Sequence, residues 1–227
     1  MNPQGRNPEP VPPATQLAIM PFLAGVYGWL TLPGEVSRLR VTMHRAMTRE
    51  GGGYLQQVSG YLPLSDDAKL RREVGRLFPV SEGLIGHVYK DRHIWRTKHS
   101  SSDDELRKNL IASGERDPDG VAKSYLAIPF LGDEEKVVLI LYADCWERNF
   151  FADDSRVNAV ASMCRGLCGM YDSLQKFPFP NLRNFPLPHG EPVAEEPTVY
   201  KYVHESLAIE PPGFESLSSF NYEASVA

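Results

Sequence analysis

SYLAIPFLGDEEKVVLILYAD, residues 124–144, consists of two apolar runs around a charged, glycine-led link. Two runs of strand length joined by a short polar turn predict an antiparallel hairpin. Val137 to Tyr142 is almost continuously apolar, which predicts a central strand buried on both faces. Pro129 cannot donate a ladder hydrogen bond, so its strand must carry a bulge or lie at an edge there.

Reading outward, NFFADDSRVNAVASMC (149–164) follows the hairpin and opens a helix. Asp153, Asp154 and Ser155 supply capping oxygens and negative charge at its start. Val157, Val160, Ala161, Cys164, Leu167, Cys168, Tyr171 and Leu174 recur every three or four residues, a stripe that must lie on a sheet. Towards the N-terminus, Leu39, Val41, Met43 and Met47 alternate with Arg40, Thr42, His44 and Ala46, the pattern of a half-buried strand. Gly51 to Gly53 then link this strand to YLQQVSGYL, a second extended run. RLFPVSEGLIGHVY (76–89) reads as a strand ending near Pro79, a turn at Gly83, and a helix from Leu84 to Lys90. No phosphate-loop Lys-Ser or Lys-Thr follows those glycines, so they serve a tight turn and close packing. HIWRT (93–97) is a short strand, and SSSDDELRKNLIAS (100–113) is predicted to be helical.

The order of elements predicts an α+β fold, an antiparallel sheet of five or six strands with helices on its faces. Residues 35–176 resemble a GAF domain, the sensory fold related to PAS domains. Three stretches carry the resemblance: RLFPVSEGLIGHVY, SYLAIPFLGDEEKVVLILYAD and NFFADDSRVNAVASMC. The resemblance implies a glycine turn that folds a short helix under the sheet and helps wall a ligand cavity. It also implies signal transduction by small-molecule sensing, with output through a signalling partner.

Flanking this domain, residues 1–13 are polar and proline-rich and are expected to be disordered. Residues 14–34 form an apolar helical segment without charge, read as a packing helix on the core or on a second copy in a homodimer. A membrane-associated segment is the alternative reading, because TQLAIMPFLAGVYGWLTLP approaches the length of a span. Residues 177–227 hold seven acidic and two basic side chains, an acidic Pro/aromatic tail that carries the whole net charge of −5. The remaining residues hold 22 charges of each sign, and a neutral body argues against nucleic acid as a partner. Three cysteines make no disulfide framework and fit a reducing, cytoplasmic setting.

The chemistry-bearing residues form no recognisable catalytic or metal constellation, so the expectation is a binding module rather than an enzyme. Cys164 and Cys168 lie on the helix stripe and read as core. Some GAF proteins, the free methionine sulfoxide reductases, use cysteines at the glycine turn and in the loop before the Ile-Pro strand. Here those places hold Leu84-Ile85 and Ser113 to Lys123, with no cysteine. His44, His87, His93 and His99 belong to no triad and read as surface or structural residues. Residues 69–98 carry eight basic against three acidic side chains, a surplus suited to a nucleotide or another small anionic ligand. The expected ligand-binding residues are Phe78, Trp95, Thr97, Tyr125, Ala127, Tyr142, Asp144 and Cys145, with Arg76 and Arg96 as anion contacts. A second reading is an interaction or dimerisation module without a ligand, acting through the tail with Tyr200, Tyr202, Phe214, Phe220 and Tyr222 as anchors.

Overall fold

The computed structural model describes residues 11, 13–32, 34, 36, 38–49, 52–63, 74–97, 122–132, 135–176 and 214–216. Helix α1 spans Pro13–Thr31, and strands β1 and β2 span Arg40–Arg49 and Gly52–Gln57. Strand β3 (Leu77–Pro79), helix α2 (Gly83–Asp91) and strand β4 (Trp95–Thr97) follow. The long hairpin is β5 (Ser124–Leu131) and β6 (Val137–Cys145). A 3-10 turn at Phe150–Ala152 leads into helix α3 (Asp154–Lys176), and β7 (Phe214–Ser216) comes from the C-terminal region. The predicted helix at 100–113 lies outside the described residues.

All strands belong to one antiparallel sheet in the order β3-β2-β1-β6-β5-β4-β7. Six of them lie between Arg40 and Cys145, as the sequence predicts, and the tail adds the seventh. β6 sits at the centre, flanked by β1 and β5, which suits its apolar run. β5 is an interior strand, so Pro129 does not mark an edge; the register instead slips next to it, between Phe130 and Leu131. β4 pairs only with Leu126 and Ala127 of β5 and therefore leaves Pro129 without a ladder partner on that side.

Each face of the sheet has its own cover. Leu39, Val41, Met43, Leu126, Ile128, Phe130, Leu139, Leu141 and Ala143 are buried beneath α1 and α3. From α1 come Ile19, Leu23, Val26 and Leu30, spaced three and four apart along one stripe. Phe22 of the same helix meets Phe130 edge to face, with ring centroids 6.3 Å apart. At Gly25 α1 runs beside α3, where a Cβ would make an ordinary contact with Met163 at 3.7 Å. The apolar N-terminal helix thus packs on its own sheet, and among the described residues no helix is long and apolar enough to cross a membrane. Cys164 and Cys168 lie in this core as free thiols, and burial pushes the Cys168 pKa up to about 12.

The opposite face is covered by α2. Leu84, Ile85 and Val88 pack there on Leu55, Trp95, Ala127, Leu131 and Ile140. The two turn glycines have separate reasons. Gly83 starts the helix at φ 66°, a left-handed conformation that suits glycine. A Cβ on Gly86 would lie 3.0 Å from the Val80 carbonyl oxygen, so only glycine lets α2 lie this close to the strand before it.

Candidate functional site

Alternation along the strands sets which side chains can meet. In β1, Arg40, Thr42 and His44 turn away from the α1/α3 core, opposite Leu39, Val41 and Met43. Across the ladder they face Asp144, Tyr142 and Ile140 of β6, while His44 also faces Gln57 of β2. Tyr125 and Ala127 of β5 lie opposite Asp144 and Tyr142 and extend the same face. Phe78 pairs with Leu55 on this side, and Arg76 stands two residues before it. The structure therefore brings Arg76, Phe78, Trp95, Thr97, Tyr125, Ala127, Tyr142 and Asp144 onto one face, the side that α2 covers.

Arg96 and Cys145 do not join them. Successive strand residues point to opposite sides, so Arg96 turns away from its neighbours Trp95 and Thr97. Its guanidinium reaches the Phe151 and Ala152 carbonyls at 3.3 and 3.1 Å and the Asp154 carboxylate at 2.6 Å. Arg96 thus fastens the 3-10 turn and the first residue of α3, and the expected anion contact is corrected to an anchor on the helix side. Cys145 likewise faces the α1/α3 core. Its sulfur accepts a hydrogen bond from the Glu147 amide at 3.3 Å, and burial raises its pKa to about 11, so the thiol is protonated at neutral pH.

At one end of the α2 face lies an ion pair. Arg40 donates to both oxygens of Asp144, at 2.8 and 2.7 Å. Its guanidinium also lies 4.6 Å from the Tyr61 ring and 4.7 Å from the Trp146 ring, a cation held between two aromatics. The Tyr142 hydroxyl donates to the second Asp144 oxygen at 3.2 Å. Burial, reinforced by that carboxylate, lifts the phenol well above its ordinary pKa.

The middle of the face is built around His44, which sequence reasoning leaves unassigned. The imidazole is buried, edge-on to Phe78 at 5.4 Å and to Tyr142 at 6.0 Å. Burial first, and then the Arg76 charge, lowers its pKa to about 3, so the ring is neutral. Beside it the Gln57 amide donates to the Ser59 carbonyl at 3.0 Å and to the Thr42 hydroxyl at 3.4 Å. Thr42 and Ser59 bond each other, which closes a small polar cluster beneath the two rings.

Two buried atoms in this cluster, His44 Nδ1 and Gln57 Oε1, have no hydrogen-bond partner among the described residues. Leaving such atoms unpaired costs about 1–3 kcal/mol each. For His44 the sequence carries a signal, the polar half of the β1 alternation, whereas Gln57 lies at the end of β2. Their juxtaposition depends on the β1–β2 register, which no residue pattern announces. Among the described residues no group of His, Cys, Asp or Glu side chains could hold a metal ion.

No family model matches the chain, and no curated protein is similar to it in sequence. Several solved structures are similar in shape. The GAF domain of an Acinetobacter phosphoenolpyruvate-protein phosphotransferase is 13% identical and superposes with a TM-score of 0.46, over 71% of this chain and 95% of that one. Residues 122 to 287 of a methyl-accepting chemotaxis protein are 14% identical, with a TM-score of 0.47 over 70% and 90% of the two chains. A type II free methionine-R-sulfoxide reductase from Thermoplasma acidophilum is 11% identical, with a TM-score of 0.47 over 69% and 94%. This last structure corrects the expectation that the chain is not an enzyme: an architecture that also houses a reductase gives no ground for excluding catalysis. With β6 at the centre between β1 and its hairpin partner β5, and the glycine-turn helix on one face, the fold of this chain is GAF-like.

Proposed function

We propose that this chain is a sensory or regulatory module that binds a small-molecule ligand on the α2 face of its sheet and signals through a partner protein. The observation that supports this reading is the pair of unpaired buried atoms, His44 Nδ1 and Gln57 Oε1, on the face that also gathers Phe78, Tyr142 and Arg76. A neutral imidazole offers one donor and one acceptor nitrogen, and a glutamine carbonyl only accepts. The ligand therefore carries at least one N–H or O–H group directed at Gln57, with a flat apolar part against Phe78 and Tyr142. Arg76 lies 5.2 Å from the Phe78 ring and adds a positive edge suited to a partial or full negative charge on the ligand.

Native mass spectrometry of the purified protein, followed by a thermal-shift panel of nucleotides, nucleobases and amino acids, tests the reading. A bound ligand stabilises the folded state by about 2.7 kcal/mol at a hundredfold excess over Kd, a clear rise in Tm. The rise is expected to disappear in Gln57→Leu and to persist in Arg96→Ala. Ligand-free protein with no shift across the panel overturns the proposal.

A further inference from the structure

We propose that the ligand face continues past His44 to a second contact point at Trp146, which takes an oxyanion (a carboxylate or a phosphate) at the far end of the same ligand. Trp146 lies on the α2 side of the sheet, packed on the cluster that holds Leu55, Trp95 and Ile140. Its Nε1–H is buried and has no hydrogen-bond partner among the described residues, the same state as His44 Nδ1 and Gln57 Oε1. An indole nitrogen only donates, so the group that completes it is an acceptor.

Aromatic rings connect the two points. His44 is edge-on to Tyr142 at 6.0 Å, and Tyr142 stands 6.5 Å from Tyr61. The Arg40 guanidinium then lies between the Tyr61 and Trp146 rings. Arg40 precedes His44 by four residues on β1, and Gln57 pairs across from His44. At strand spacing four residues span about 13 Å. A ligand that meets both Gln57 and Trp146 is therefore elongated, with an N–H or O–H group at one end, a flat middle and an acceptor at the other.

Charge makes that acceptor anionic. Arg40 pairs with Asp144 through Nε and Nη2, and this side-on geometry turns Nη1 away from the carboxylate. The Arg40 side chain keeps 33% of its surface exposed, whereas Asp144 keeps 2% and also accepts from the Tyr142 hydroxyl. Arg38 is exposed, with its guanidinium 6.0 Å from the Trp146 ring. Glu147 and Arg148, next in the chain, cancel, so two arginines against Asp144 leave this end with a surplus of positive charge. A guanidinium edge beside an indole N–H suits an oxyanion. Arg76 belongs to the opposite end, where its backbone carbonyl accepts from the Gln57 amide at 2.9 Å.

The inference rests on the ligand reading and assigns the chemistry of one end of that ligand. Isothermal titration calorimetry with matched pairs tests it: adenosine monophosphate against adenosine, guanosine monophosphate against guanosine, and tryptophan against tryptophanamide. In the wild type the oxyanionic member of at least one pair is expected to bind about tenfold tighter or more. A preference in the nucleotide pairs assigns a phosphate, and one in the tryptophan pair a carboxylate. Trp146→Phe keeps a ring beside Arg40 and removes the N–H, and it is expected to reduce the preference to about threefold or less. Arg38→Gln, at an exposed position outside the core, is expected to lower it as well. Gln57→Leu is expected to weaken both members of a pair alike.

No binding by any compound would overturn the ligand reading and this inference together. Binding with equal affinity within every pair, or a preference unchanged in both Trp146→Phe and Arg38→Gln, would overturn this inference alone. A preference lost in Arg76→Gln but kept in Trp146→Phe would place the oxyanion at the Gln57 end and refute the Trp146 assignment.

Discussion

The two faces of this sheet carry the same alternation to opposite ends. Beneath α1 and α3 the strand residues are Leu, Val, Met, Ile and Phe almost without interruption, and Arg45 there donates to Gln56 at 2.7 Å. Beneath α2 the apolar cluster occupies only part of the face. The rest is the Arg40–Asp144 pair and the Thr42–Ser59–Gln57–His44 cluster, in which His44 Nδ1 and Gln57 Oε1 have no partner among the described residues. Stability is thus concentrated on one side of the sheet, while the other retains polar groups that folding alone does not explain.

Core truncations on the helix side give the largest expected effect. Phe130 is buried and meets Phe22 of α1, so Phe130→Ala removes both the ring contact and its filled volume. A loss of about 3–5 kcal/mol is expected in urea unfolding. A loss below about 1 kcal/mol would show that α1 does not contribute to the core as described. Next in size is Arg96→Ala, which strips the Phe151 and Ala152 carbonyls of a charged donor and unfastens Asp154. Asp154 is well exposed, so its share is small, and a loss of about 2 kcal/mol is expected. Ligand affinity should be unaffected, which separates this arginine from the site it was expected to serve.

The central hairpin, the β1 alternation, the glycine-turn helix and the α3 stripe could all be read directly, because each is a repeat long enough to show its period. The candidate site was readable only as a region. Trp95, Arg96 and Thr97 cannot share a face, nor can Asp144 and Cys145, since neighbouring strand residues alternate. That rule alone separates Arg96 and Cys145 from the others. The His44–Gln57 pair was not readable, because it depends on a register fixed across the Gly51–Gly53 link. β7 was equally hidden: three residues in a proline-rich acidic stretch have no period, and their partner strand is remote in sequence.

The buried imidazole makes the α2 face measurable by pH. His44 titrates at about 3 in the folded protein against 6.5 as its ordinary value, so between these limits the unfolded chain binds the extra proton. Its contribution is complete above the ordinary value and drains as pH falls, by up to about 1.4 kcal/mol per unit. Urea midpoints measured from about pH 7 to about pH 4.5, above the usual carboxylate range, are expected to fall steeply in the wild type and to flatten in His44→Phe. Identical slopes in the two proteins would place His44 in water and dissolve the contrast between the faces.

The smallest effect on stability carries the most information. Gln57→Leu removes a carbonyl to which nothing among the described residues donates, and it keeps the volume of the side chain roughly constant. The Ser59 carbonyl still receives the Thr42 hydroxyl at 2.9 Å, so the substitution strands no new partner there. A residue retained only for folding would be missed when replaced. One retained for a guest would not, because an unpaired buried acceptor is itself a cost of about 1–3 kcal/mol. Gln57→Leu is therefore expected to change stability by less than about 0.5 kcal/mol or to raise it, while the thermal response to ligand is lost. Destabilisation by about 2 kcal/mol would make the amide a structural bracket between β1 and β2, and the unpaired carbonyl would no longer count as a sign of what the face receives.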